Sequence, residues 1–80
     1  MKRFEIGKWY RANDCAFEPI QIIRRTPKCV VVKNWFGVEW RMVVKEDDER
    51  EYVTDSTVPQ RWRPAFTYCA DNEADDVEVE

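Results

Sequence analysis

Val38-Glu39-Trp40-Arg41-Met42-Val43-Val44-Lys45 is the stretch that decides the fold. Val38, Trp40, Met42 and Val44 fall on one side of a period of two, and Glu39, Arg41, Val43 and Lys45 on the other. Successive side chains of an extended chain point to opposite faces, so this alternation reads as a half-buried strand. Upstream, Asn34-Trp35-Phe36-Gly37 carries Asn at the first and Gly at the last position of a type I turn. Before it stands Val30-Val31-Val32-Lys33, β-branched and suited to a pleated surface. Thr26-Pro27-Lys28-Cys29 is a turn with Pro27 where its fixed φ is useful, and Ile20-Gln21-Ile22-Ile23-Arg24-Arg25 is another strand. Towards the amino terminus, Phe4, Ile6, Lys8 and Tyr10 alternate with Glu5, Gly7, Trp9 and Arg11, which predicts a first strand over 4–11. Residues 13–19 read as a connecting loop. Downstream, 46–50 is an exposed hairpin loop, 51–55 a short fifth strand, and 56–64, with Pro59 and Pro64, a loop or a single 3₁₀ turn. Residues 65–69 fit either a short strand or a helical turn.

Five short strands in a meander close best into a small barrel, because closure removes the unpaired edges that recruit other chains. Eighty residues make one domain. A chain of this length needs bulky side chains to fill its core, and four Trp, four Phe and three Tyr supply them. Of the 16 acids, six fall within 71–80, which holds no base; residues 1–70 then carry 13 bases against 10 acids, a balance of +3. The expected organisation is a weakly basic barrel domain over 1–70 and an acidic, disordered tail over 71–80. Ile23 and Val31 lie on the face opposite Ile20, Ile22, Val30 and Val32. Either the carboxyl-terminal segment with Phe66 and Tyr68 covers them, or they face a partner.

The residue inventory points away from catalysis. With no His, the commonest general base and the Ser-His and Cys-His pairs are missing. Cys15, Cys29 and Cys69 lack metal-ligand or disulfide spacing and read as small buried hydrophobes. Gly7 and Gly37 stand alone, so there is no Gly-rich phosphate loop. Glu46-Asp47-Asp48-Glu49 pairs carboxylates on a solvated tip, without the apolar pocket that raises one pKa. No cofactor and no metal are expected. An absent leader and the lack of an apolar run of membrane-spanning length predict a cytoplasmic protein without membrane contact, a monomer or weak dimer.

Three features are candidates for binding a protein or a nucleic acid. In the Pro-bounded loop, Arg61 and Arg63 flank Trp62, which either plugs one end of the barrel while the arginines stay solvated, or suits phosphate contact with base stacking or an aromatic hot spot. Trp35 and Phe36 occupy a hairpin tip, where large aromatics must pack back or meet a partner. Arg24, Arg25, Lys33 and Arg41 belong to a basic set in which Arg25 and Lys33 share one strand face.

The opening Phe4-Glu5-Ile6-Gly7-Lys8-Trp9-Tyr10, the hairpin from Ile22 to Val32, Trp40-Arg41-Met42 and Glu51-Tyr52-Val53 together resemble small SH3-like proteins of phages and mobile elements in Gram-positive gut bacteria. The resemblance covers residues 4 to 69. It implies an all-β fold, a small five-stranded SH3-like barrel with a short carboxyl-terminal segment, and transfers no site residue. The expected function is a non-catalytic protein-interaction module of a mobile element with an unknown protein partner. The alternative is a DNA- or RNA-binding module using the basic and aromatic residues.

Overall fold

The computed structural model describes residues 1–13, 18–55 and 57–74. Among these, seven strands form one antiparallel sheet: β1 (Trp9–Ala12), β2 (Ile20–Arg25), β3 (Cys29–Lys33), β4 (Glu39–Val43), β5 (Lys45–Glu46), β6 (Glu51–Thr54) and β7 (Thr67–Glu73). A 3₁₀ turn, Gln60–Trp62, precedes β7. Strand order is β4-β3-β2-β1-β7-β6-β5. The two ends of that order, β4 and β5, are neighbours in the chain with only Val44 between them, so the sheet curls back on itself. β4 also approaches β6 without a ladder joining them. The result is an all-β, nearly closed barrel.

Seven strands replace the five expected, for two reasons. The strand read over 38–45 breaks at Val44, whose N–H bonds to Lys28 O at 2.8 Å, and the remainder pairs with β6 instead of β3. The segment left open over 65–69 is the start of a full strand, β7, set between β1 and β6. The first strand is also shorter than 4–11. Gly7, with φ +90°, turns the chain, and its N–H bonds to Ile22 O at 2.7 Å, so the ladder begins only at Trp9.

Phe4, freed from the ladder, enters one end of the barrel and meets Tyr10 edge-on, with centroids 4.9 Å apart. The core is Phe4, Tyr10, Ala12, Ile20, Ile22, Val30, Val32, Met42, Val53, Tyr68 and Ala70, with Trp40 and Val44 packed against it. These are the inward positions of the alternating strands. Their shared burial supplies most of the driving force, because removing apolar surface from water is the largest favourable contribution to folding.

The boundary of the acidic segment shifts as well. Asp71 to Glu73 complete β7, and Ala74 is buried with its N–H on Trp9 O at 2.9 Å. The acids there find bases: Asp71 meets Arg50 at 2.6 Å and Glu73 meets Lys8 at 3.0 Å. Asn72 donates to the carbonyls of Arg11 and Ala12 where the β1–β7 register slips. Residues 75–80, Asp14, Cys15 and Ser56 lie outside the described residues. No helix among the described residues is long and apolar enough to cross a membrane.

Antiparallel succession sorts the connections onto two ends. The hairpin 34–38 and the described part of the long connection, 57–66, share one end, here the loop end. Residues 1–8, the turn 26–28 and the turn 47–50 share the other.

Candidate functional site

The 34–38 hairpin has a sequence-encoded geometry. Asn34 O accepts the Gly37 N–H at 3.1 Å, Asn34 Oδ1 accepts from Phe36 N and Val38 N, and Gly37 takes φ +82°. A type I turn followed by a left-handed glycine is a common three-residue hairpin loop. It leaves Trp35 and Phe36 at the tip, 55% and 78% exposed. Val38, read as inward, is exposed as well, because it sits between the turn and the first β4 pair. On the same end, the 3₁₀ turn presents Trp62, 52% exposed, with the Arg61 guanidinium 5.8 Å from its ring centroid. Trp62 does not plug the barrel; the turn contributes no buried residue. Arg63 is half-buried, and its Nε donates to Val58 O at 3.2 Å.

Arg25 requires a correction. The pairing Ile22↔Val32, Arg24↔Val31, Arg25↔Val30 leaves Ile23 as the extra residue of a β-bulge. A bulge shifts the alternation by one, so Arg25 turns inward rather than joining Lys33 on the outer face. There it meets Glu51, which is only 3% exposed: Nη1–Oε1 is 2.8 Å and Nη2–Oε2 is 3.0 Å. Glu51 Oε1 also accepts the Phe4 N–H at 2.9 Å, and Arg25 Nη1 donates to Phe4 O at 2.8 Å. This forked pair straps the amino-terminal segment across the barrel. The Arg25 hydrogen bond, followed by the Phe4 amide, holds the Glu51 carboxyl below its ordinary pKa against the opposing effect of burial.

The same bulge organises the outer face of β2, β3 and β4. Ile23 and Arg24 both oppose Val31, and Arg41 pairs with Val31 from the other side. Arg24 and Arg41, both exposed, thus flank Val31, and no carboxylate pairs with either among the described residues. Lys33 lies on the same face beside Gln21 and Glu39. A shallow depression of about 290 Å³ runs between Arg24, Thr26, Cys29, Val31 and Arg41. Tyr68 does not cover Ile23 and Val31, since β7 touches neither β2 nor β3. Tyr68 instead points into the core with its hydroxyl on Glu18 O at 2.9 Å, and burial pushes its pKa up to about 12.

The paired carboxylates at 46–49 serve the turn. Asp47 Oδ1 accepts from the amides of Glu49 and Arg50, which lowers its pKa. Cys69 is buried and Cys29 half-buried. Burial raises the Cys69 pKa, the opposite of what an activated thiolate needs.

The structure therefore gathers Trp35, Phe36, Arg61, Trp62 and Arg63 at the loop end, and Arg24, Lys33 and Arg41 on the outer sheet face. Arg25 borders the depression on that face, but its guanidinium is held by Glu51. Sequence reasoning missed Glu51, which opens β6 and is buried against a bulge in β2, four strands earlier in the chain, and for which no local signal exists. No family model matches this chain, and no curated protein or solved structure matches it.

Proposed function

We propose that this chain is a non-catalytic protein-interaction module that docks its partner through the loop end of an SH3-like barrel. The observation that carries this reading is the exposure of Trp35, Phe36, Val38 and Trp62 on two loops of one end, outside the buried core cluster. Large aromatics in water forgo the burial that makes them valuable, and a rigid barrel presenting them without new loop ordering is economical for binding. Arg61 over Trp62 adds the residue pairing common at interface hot spots.

Site-specific photo-crosslinking tests this in producing cells. A photoreactive phenylalanine at Phe36 should give a discrete protein adduct that survives high salt and disappears with Trp62→Ser; the same group at Glu49, on the opposite end, should not. Absence of any discrete adduct from Phe36 would refute the loop-end reading.

A second reading has its own observation: Arg24 and Arg41, which meet no carboxylate among the described residues, flank Val31 and favour a nucleic-acid phosphate backbone on the outer face. Anisotropy of a labelled oligonucleotide should then fall steeply with salt, as counterion release demands, and weaken with Arg24→Gln.

A further inference from the structure

The wall of the barrel is unfinished at one place. In the β3–β4 hairpin, Asn34 N bonds to Val38 O and Val44 N to Lys28 O, so the hydrogen-bonded pairs alternate through Val32↔Trp40 and Val30↔Met42. The N–H and C=O of Glu39, Arg41 and Val43 consequently point away from β3, to the free edge of β4. Across the gap, Asp55 N bonds to Phe66 O on β7, which by the same alternation turns the N–H and C=O of Thr54 towards β4. The β5–β6 ladder nevertheless stops at Lys45↔Tyr52, and no ladder joins β4 to β6. A cavity of about 390 Å³ lies in this seam, lined by Trp40, Arg41, Met42, Val43, Thr54 and Asp55 among others.

We propose that the seam takes an extended segment of a partner protein, added as a strand along β4 and carrying an acidic side chain opposite Arg41 with apolar neighbours towards Trp40 and Met42. β4 approaches β6 too closely for a strand bonded to both edges, so the added backbone pairs with β4 alone, whose outward N–H and C=O groups are matched by another extended segment. Strand alternation then fixes the side chains: positions beside Trp40 and Met42 face the core, and those beside Arg41 face its guanidinium, which meets no carboxylate among the described residues, with Lys45 and Asp55 also lining the seam. This surface is distinct from the loop-end aromatics, so either proposal can fail alone.

The test uses the full chain and a displayed library of random heptapeptides. The expected selection is extended sequences alternating apolar with acidic residues. Under hydrogen exchange read by NMR, the Glu39, Arg41 and Val43 amides should exchange fast in the free protein and slow at least tenfold with a selected peptide. Arg41→Pro, which removes only an edge-facing N–H from the ladder scheme, should abolish binding; Arg41→Gln, which keeps that N–H, should weaken it several-fold and select against acidic residues. Phe36→Ser should leave it unchanged. Slow exchange of those three amides in the free protein, selected peptides that bind Arg41→Pro as well as the parent, or no enriched peptide would each overturn the proposal.

Discussion

Replacing Glu51 by Ala should remove the strap that holds Phe4 in the barrel. Three hydrogen bonds converge on this carboxylate, two from Arg25 and one from the Phe4 amide, at 2.8 to 3.0 Å. Losing one partner of a buried pair costs roughly 3–5 kcal/mol. Arg25 retains 20% side-chain exposure and can recover some hydration, so the low end, about 3 kcal/mol, is expected. A domain of this size shifts by roughly 4–8 °C per kcal/mol, which places the fall in Tm at about 12–24 °C. Urea unfolding followed by Trp fluorescence at pH 7 measures the free energy directly. The pH dependence has a definite sign. Because the folded Glu51 pKa lies below its ordinary 4.5, its contribution is complete above about pH 4.5 and is lost as pH falls through the folded value. Glu51→Gln should flatten that acid limb. A loss under about 1 kcal/mol for Glu51→Ala, with an unchanged acid limb, would show that the strap does not seat Phe4 and would refute the reasoning, since surface pairs are worth that little.

Phe4→Ala should cost about 3–5 kcal/mol in the same urea assay, because the ring fills the barrel end against Tyr10 and leaves a cavity. Gly37→Ala should cost about 1 kcal/mol; no atom lies near the new Cβ, so the penalty is that of φ +82° alone, and thermal melts will show it. With its pKa pushed up to about 12, Tyr68 favours the fold fully below pH 10 and loses that contribution as pH rises towards 12. Tyr68→Phe should flatten the alkaline stability profile over that interval, as read by circular dichroism.

Much of the architecture was legible locally. Residues 38–45 alternate with period two, 30–33 are β-branched, and Asn34 to Gly37 spell a turn, so β3, β4 and their hairpin follow from residue chemistry within a few positions of each other. The turn places Trp35 and Phe36 at its tip but left open whether they pack back, and the barrel leaves both exposed. The sequence determined, by its periodicity, that this chain makes short strands with Tyr10, Ile20, Ile22, Val30, Val32 and Met42 inside.

What it could not determine was anything resting on register between distant segments. One extra residue at Ile23 reverses the direction of Arg25 without altering the composition of its strand, and turns a residue read as part of a basic face into the partner of a buried carboxylate. Val44 is as apolar as Val43 before it, yet the chain changes ladders there because β5 finds β6. Asp71 to Glu73 read as a solvated acidic run until Arg50 and Lys8, 21 and 65 residues away in the chain, are seen to meet them. Local steric preference and hydrophobic alternation act over a few residues and are written in the sequence. Which edge pairs with which, and which charge is thereby enclosed, is settled by the packing of the whole barrel, because only there are the competing partners brought within bonding distance.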